Sequence, residues 1–199
     1  MFTRRRIWLW GLIFVAAATA SGLVYRHHKR YKHLAVHDPQ MVYRSAWLEP
    51  DVFRELIEEH QIRTVLNLCE PDELGSDRCI SQRQAVHGSG ARLIEMPMPA
   101  ATLDPADPEI AKFVAILANP ENYPLLVHCQ HGVTRTAKVL VMYDILFRGM
   151  TAEQSIAAMP LFGHDDYPVS VRAFARNFEN QHRQLYRQAI GGLDILQHR

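Results

Sequence analysis

The 199-residue sequence has few cysteines, almost no net charge and no internal repeat. Its 22 basic and 21 acidic side chains leave a net charge of +1, which gives no bulk attraction to nucleic acid. No low-complexity tract is present, and hydrophobic residues at 48% can fill a core. Length and composition therefore favour one folded domain and predict no nucleic-acid partner.

Strand patterns and helix patterns alternate along most of the chain. Predicted strands cover residues 41–46, 62–68, 93–98 and 123–127, and predicted helices cover residues 50–60, 108–118, 134–148, 152–159 and 169–189. A further helix is expected between the second and third strands. This order predicts an α/β fold, a single domain with a mostly parallel central sheet and helices on both faces.

Residues 1–33 differ in character from the rest, because an uncharged run lies between two basic flanks. The run from Ile7 to Tyr25 would span roughly 28 Å as a helix, close to the hydrocarbon thickness of a bilayer. A signal peptide cut after Ala20 is the rival interpretation, but the apolar run continues to Val24. We therefore predict a basic flank, a retained transmembrane helix and a linker in residues 1–33, and one domain in residues 34–199.

The most informative segment follows the fourth predicted strand and has the sequence His128-Cys129-Gln130-His131-Gly132-Val133-Thr134-Arg135-Thr136. A strand, a tight loop and a helix start place backbone N–H groups and the positive end of a helix dipole around one point, which suits an oxyanion. These groups and a nearby cation would lower the pKa of Cys129, whose thiolate is the nucleophilic form. Arg135 offers a planar fork that can hold two phosphoryl oxygens.

The other residues of this segment have supporting roles. Gly132 permits a positive φ or a close backbone approach, and Thr136 could donate its hydroxyl to the sulfur as a phosphoenzyme breaks down. His128 is expected to orient the loop rather than transfer protons. Phosphate binding is assigned to Gln130, His131, Gly132, Val133, Thr134 and Thr136. Together with the catalytic Cys129 and Arg135, these residues predict phosphoryl transfer through a cysteinyl-phosphate, with no cofactor and no metal.

The order His-Cys, five residues, Arg-Thr resembles the signature of the cysteine-dependent protein tyrosine phosphatase superfamily. The chain after about residue 38 resembles its dual-specificity branch, and most of all the small bacterial members that begin with a membrane segment. Residues 41–46 and 62–68 resemble their first two core strands. Two positions depart from the family pattern, since Ala137 stands where glycine is usual and Thr134 where several relatives have aspartate. The resemblance implies a phosphatase catalytic domain in residues 34–199.

Three other interpretations of the loop compete with phosphate chemistry. Cys129 could be a buried core thiol and Arg135 a surface charge, since free cysteine is among the most buried residue types. Sulfurtransferases of the rhodanese class also use a cysteine loop that ends in arginine, but those loops are typically one residue shorter. Metal binding by His128, Cys129 and His131 is disfavoured, because ligands so close together on a tight loop give poor tetrahedral geometry.

The leaving group needs a proton from a second loop, and residues 103–110 are the expected source. Asp104 lies four residues before Pro108, as the general acid of many relatives precedes a helix-starting proline. Asp107 is the next candidate, although it fits the role of a helix cap better. Asp165 and Asp166 are the remaining candidates for the general acid, ranked behind these two. Asp104 is therefore the predicted general acid.

The expected activity is hydrolysis of phosphotyrosine, and of phosphoserine or phosphothreonine, on proteins near a membrane. Phosphoinositides or other phospholipid headgroups are alternative substrates, but the loop lacks the lysines that often bind highly charged inositol phosphates. The alternative to an enzyme is a non-catalytic phosphate-binding module, which would keep the loop but lack an effective general acid. The resemblance favours a bacterial inner-membrane location with the domain on the periplasmic side. In an oxidising compartment Cys69 and Cys79 could pair; otherwise all three cysteines stay reduced.

Overall fold

A computed structural model describes residues 2–99 and 103–182 of the chain. Its strands are β1 (Ala35–Asp38), β2 (Val42–Ser45), β3 (Thr64–Asn67), β4 (Arg92–Glu95) and β5 (Leu125–His128). They form one sheet in the order β1-β2-β5-β3-β4. Strands β2, β5, β3 and β4 are parallel to one another, whereas β1 pairs antiparallel with β2 at one edge. The predicted mostly parallel sheet is confirmed.

Strand β1 was not predicted from the sequence. It pairs with β2 alone, and its Val36 remains 54% exposed. A short edge strand that buries so little apolar surface has no clear alternation of apolar and polar residues. Only the pairing with β2 reveals it.

Helices cover both faces of the sheet. They are α1 (Phe2–Arg30), α2 (Pro50–His60), α3 (Pro71–Leu74), α4 (Ser76–Gly88), α5 (Glu109–Ala118), α6 (Thr134–Phe147), α7 (Ala152–Ala158) and a further helix over residues 169–182. The predicted helices at 50–60, 108–118, 134–148 and 152–159 agree with α2, α5, α6 and α7 to within one residue. Residues 183–189 of the last predicted helix lie outside the described residues.

Two apolar clusters pack on opposite faces of the sheet. Neighbouring residues of one strand go to different clusters, because side chains alternate across a strand. Leu66 and Val127 belong to the cluster that contains α5 and α6, whereas Val65 and Leu126 belong to the cluster that contains Phe53 of α2. Helix α6 is buried along almost its whole length, so the loop that precedes it starts from a rigid element.

Helix α1 covers the segment that was predicted to cross a membrane. Among residues 2–99 and 103–182, no helix is both long and apolar enough for a membrane span. The predicted transmembrane helix is therefore not supported.

The three cysteines of the chain are free thiols. Cys69 is buried just after β3, and Cys79 is half-buried on α4. The disulfide between them that an oxidising compartment would allow is therefore not formed in this structure.

Candidate active site

The residues that follow β5 form a tight loop leading into α6. Because β5 lies between β2 and β3, its carboxyl end delivers Cys129 to the edge where ligands of parallel sheets bind. Gly132 has a φ of +69°, and a Cβ built on it would lie 2.5 Å from Ala46 N and Ser45 O. Only glycine fits there, and both predicted reasons for it, a positive φ and a close approach, are present.

Arg44 on β2 holds this loop, a role that was not predicted from the sequence. Its side chain is fully buried, and Nη2 donates a 2.8 Å hydrogen bond to Gly132 O. Nη1 donates to the Tyr167 hydroxyl at 3.0 Å, and that hydroxyl donates to Pro160 O at 2.8 Å. The guanidinium also lies 5.1 Å from the centre of the Phe162 ring. The available signal was an arginine inside a predicted core strand, where a charge needs partners.

Neighbouring segments bind two further carbonyls of the loop. Trp47 N donates to Gln130 O at 3.3 Å, and His33 Nδ1 donates to His131 O at 2.6 Å. With the Arg44 contact at Gly132, three consecutive carbonyls point into the surrounding protein. Because the C=O and the following N–H of a trans peptide point in opposite directions, the N–H groups after these carbonyls face the concave side of the loop.

Cys129 is buried at this concave side, with hydrogen-bond donors around its sulfur. Burial alone would disfavour the thiolate, but the hydroxyl and N–H of Thr136, the charge of Arg135 and the N–H of Gly132 outweigh it. They hold the pKa of Cys129 below the ordinary thiol value of 9.0. Gly132 N lies 3.1 Å from Sγ. The structure thus brings together the predicted nucleophile, glycine, arginine and hydroxyl.

Arg135, in the first turn of α6, forms a two-pronged ion pair with Glu73 of α3. Nη2 donates to Oε1 at 2.6 Å, while Nη1 contacts Oε2 and donates to Leu68 O at 3.3 Å. Hydrogen bonding to Arg135 lowers the pKa of Glu73, and a further hydrogen bond of 2.9 Å from Glu70 N holds that carboxylate in place. Since both Nη1 hydrogens are used, the Nε–Nη2 edge is the one that can face an oxyanion.

Glu73 was not predicted as a site residue. It lies in a short helix of four residues, and its ion pair with Arg135 spans 62 positions of sequence. A glutamate so far from the signature segment gives no local signal of this contact. The acidic side chain after β3 therefore became informative only when the fold placed α3 beside the start of α6.

His128 is fully buried at the end of β5, and burial lowers its pKa to about 3. The ring is therefore neutral at physiological pH, and its Nε2 accepts a 2.6 Å hydrogen bond from the Gln82 amide. Gln82 Oε1 in turn accepts from Asn67 Nδ2 at 3.2 Å. This network holds the ring in one orientation, as expected of a residue that positions the loop.

The geometry also bears on the metal interpretation of the loop. His128 contacts Gln82 in the interior, whereas His131 is exposed. Within the described residues, no group of three or more His, Cys, Asp or Glu side chains is placed to hold a metal ion.

The first two candidate acids lie side by side in the loop before α5. Asp104 is exposed, and its Oδ1 accepts the N–H of the residue two positions later at 2.9 Å. The preceding Leu103 is buried in the same apolar cluster as Cys129. Asp107 Oδ1 accepts from Glu109 N at 2.9 Å, which is the contact of a helix cap.

The other two candidate acids follow α7. Asp166 forms an ion pair with Arg172 and accepts a 2.7 Å hydrogen bond from Tyr167 N. Asp165 beside it is exposed. Both lie next to Tyr167, the residue that hydrogen-bonds to Arg44. Leu103 and Tyr167 both belong to the apolar cluster that contains Cys129, so both loops are attached to that cluster, and Asp165 and Asp166 also lie beside the Arg44 network.

Residues 31–177 match the family described as "DSP-PTPase phosphatase fused to NAD+ Kinase", and the chain belongs to this family. The chain is also 26% identical over 124 residues to the dual specificity protein phosphatase TpbA of Pseudomonas aeruginosa (strain UCBPP-PA14). That match covers 61% of this chain and 52% of the relative, so the chain spans about half the length of the curated relative. The predicted place in the dual-specificity branch of the cysteine-based phosphatases is confirmed.

Solved structures show the same fold. TpbA of P. aeruginosa in complex with pTyr is 24% identical, with a TM-score of 0.59 over 77% of this chain and 89% of that chain. The core catalytic domain of the PP-IP phosphatase SIW14 from S. cerevisiae is 16% identical, with a TM-score of 0.62; the match covers 81% of this chain and 94% of that chain. PTPMT1 in complex with PI(5)P is 16% identical, with a TM-score of 0.58; the match covers 75% of this chain and 97% of that chain. At these identities the likeness concerns the fold alone.

Proposed function

We propose that the chain hydrolyses phosphoric monoesters through a cysteinyl-phosphate, acting on proteins that carry phosphotyrosine and also phosphoserine or phosphothreonine. The arrangement around Cys129 carries this proposal. A thiol of lowered pKa, inward-facing loop N–H groups and the arginine of α6 meet at the carboxyl end of β5. Each of them stabilises negative charge, so together they suit a thiolate and the phosphoryl group that it attacks.

In the first step, Cys129 Sγ attacks phosphorus while the bond between phosphorus and the substrate oxygen breaks. The loop N–H groups and the Nε–Nη2 edge of Arg135 bind the three non-bridging oxygens, over which the charge of the transition state is spread. Asp104 gives its proton to the departing oxygen, which leaves as an alcohol or phenol. The products of this step are phosphocysteine and an aspartate carboxylate.

In the second step, a water molecule attacks the phosphorus of phosphocysteine and the S–P bond breaks. The carboxylate of Asp104 accepts a proton from that water, and inorganic phosphate is released. Cys129 leaves as a thiolate, and the neighbouring Thr136 hydroxyl and Gly132 N–H stabilise it, as they do in the free enzyme. The enzyme therefore returns to its starting state after one turnover.

The composition of the loop supports a phosphotyrosine substrate. Arg135 is the only lysine or arginine between Cys129 and Thr136, which suits a single phosphoryl group. TpbA, solved with phosphotyrosine, supports the same choice, whereas PTPMT1, solved with PI(5)P, keeps phosphoinositide headgroups as the second candidate. Relative rates on a phosphotyrosine peptide and on soluble phosphoinositides decide between them.

Steady-state assays of the parent chain and Cys129→Ser test the proposed reaction. The parent should hydrolyse an aryl phosphate and a phosphotyrosine peptide, and the serine variant should hydrolyse neither while still binding vanadate. Because the pKa of Cys129 is lowered, the acidic limb of the pH profile of kcat/KM, over which the thiol ionises, should end below the ordinary thiol value of 9.0. Substantial turnover by Cys129→Ser would contradict the covalent mechanism. Vanadate binding without any turnover by the parent would instead indicate a non-catalytic phosphate-binding module.

A further inference from the structure

A cleft of about 610 Å³ lies directly beside the catalytic loop. The last turns of α1, the segment between β2 and α2 and the first turn of α4 form its walls, and it shares Gln130 and His131 with the catalytic loop. Its surface is mixed, since the apolar side chains of Trp47 and Leu48 line it together with several cations. A ligand in this cleft would therefore extend from the position of the reacting phosphoryl group.

The cleft concentrates positive charge in a chain whose net charge is only +1. Lys29, Lys32 and Arg78 line it, and among the described lining residues Glu49 is the only carboxylate. Within residues 2–99 and 103–182, none of these three cations forms an ion pair. Their charges are thus available to an anionic ligand.

A fourth cation of the cleft has a different role. Arg30 pairs with Asp51 at 2.8 Å and with Glu55 at 2.7 Å, so it joins α1 to α2. Arg78, in contrast, lies with its guanidinium 5.0 Å from the centre of the Trp47 ring, a contact that leaves its charge unneutralised. The cleft therefore has one cation that fixes its wall and three that can bind a ligand.

Backbone contacts set the position of these cations relative to the catalytic loop. His33 Nδ1 donates to His131 O at 2.6 Å, and Ala46 N donates to Lys32 O at 3.0 Å. The end of α1 is thus tied both to the loop itself and to the strand against which Gly132 packs. An anion held by Lys29 and Lys32 would therefore lie next to the loop that holds the phosphoryl group.

We propose that this cleft binds acidic side chains that flank the phosphorylated residue of a protein substrate. The inference rests on the proposed phosphatase function and names the class of protein on which it acts. The free cations lie on one side of the phosphoryl site rather than around it, as suits a peptide that runs away from the loop in one direction. The partly exposed ring of Trp47 can pack against peptide carbon atoms between the acidic groups, whereas a hydroxylated inositol ring has less apolar surface for such a contact.

The test compares two phosphotyrosine peptides that differ only in having glutamate or glutamine on both sides of the phosphotyrosine. The parent should hydrolyse the acidic peptide with a kcat/KM about ten-fold higher than the neutral one, and the ratio should fall with added salt. In the triple variant Lys29→Gln, Lys32→Gln, Arg78→Gln, the ratio should fall to about one. A soluble inositol phosphate is assayed beside the peptides.

The matched control removes three exposed cations elsewhere: Arg83→Gln, Lys112→Gln, Arg176→Gln. These side chains are in surface ion pairs away from the cleft, and their loss gives the same change in net charge. The control should keep the parent's ratio of kcat/KM between the acidic and the neutral peptide.

Three results would each overturn the proposal: equal rates of the parent on both peptides, an equal fall of the ratio in the control, or a higher kcat/KM for the inositol phosphate than for the peptides. In those cases hydrolysis of an aryl phosphate by the parent would still support the phosphatase function, whereas its absence would refute that function itself.

Discussion

The catalytic loop and the loop that carries Asp104 both follow parallel strands of the same sheet, yet they are held in different ways. The catalytic loop is bound by residues far away in sequence. Arg44 contacts it across 88 positions and His33 across 98, and the side chain of Arg44 is fully buried. Contacts of this kind break only when a large part of the fold opens.

The loop before α5 is held mostly by its own residues. Asp107 N donates to Asp104 O at 2.9 Å, and both aspartate side chains accept N–H groups two positions later. One long-range hydrogen bond joins Pro105 O to His182 Nε2 at 3.0 Å. The catalytic loop is thus preorganised, and the proposed acid is attached separately, so we expect substitutions in the two loops to have different kinetic signatures.

The largest effect should come from Arg135→Lys, on every substrate. Lysine keeps the charge but loses the planar fork, so kcat/KM should fall by about 100-fold or more, roughly 3 kcal/mol of transition-state stabilisation. The measurement is kcat/KM on an aryl phosphate and on a phosphotyrosine peptide. Arg148→Lys, just after α6, is the control and should retain the parent's rate. A rate for Arg135→Lys within a few-fold of the parent would refute the role of the fork.

Asp104→Asn should distinguish the acid-bearing loop from the catalytic loop, because a general acid matters only when the leaving group is poor. We expect about a 100-fold loss with phosphotyrosine and a far smaller loss with an activated aryl phosphate. The basic limb of the pH–rate profile, where the acid loses its proton, should also disappear. Asp165→Asn serves as the control. If the control shows the leaving-group dependence and Asp104→Asn does not, the acid comes from the loop after α7.

Glu73→Gln tests whether the ion pair with Arg135 orients the fork. The neutral amide holds the guanidinium less firmly, so kcat/KM should fall roughly ten-fold on both substrates. Glu58→Gln, an exposed change on α2, is the control. Equal rates for the two variants would show that Arg135 needs no orienting carboxylate.

The same pair makes stability depend on pH. Arg135 lowers the pKa of Glu73 in the folded state below the ordinary value of 4.5, so the carboxylate stabilises the fold above that pH. This contribution is lost as pH falls through the folded-state pKa. The difference in Tm between the parent and Glu73→Gln should therefore be largest near neutral pH and shrink below pH 4.5. A constant difference would contradict the assignment.

The smallest effect should come from Asp107→Ala, which removes a helix cap. The free energy of unfolding should fall by about 1 kcal/mol, measured by urea denaturation, with no dependence on the leaving group. Glu121→Ala, an exposed change beyond α5, should have a smaller effect. A strong leaving-group dependence in Asp107→Ala would exchange the roles of Asp104 and Asp107.

Much of the fold was predictable because the apolar residues of its helices and core strands form clear patterns. Helix α2 shows apolar residues at helical spacing, and four of them, including Phe53 and Leu56, are buried on one face. Strand β1 was missed because it buries little apolar surface, and the predicted transmembrane helix rested on the length of the uncharged run between its basic flanks. A local pattern fails to predict a strand that is stabilised by pairing with one neighbour.

The sequence by itself determined the chemistry of the catalytic loop. Nucleophile, glycine, arginine and hydroxyl lie within one segment, and a strand followed by a helix is enough to bring their backbone and side chains together. Only the tertiary structure revealed Arg44 behind the loop, Glu73 on the guanidinium and the cations of the neighbouring cleft. Their contacts with the loop region span 88 positions for Arg44 and 62 for Glu73. Such contacts depend on how strands and helices pack, which no local pattern of residues specifies.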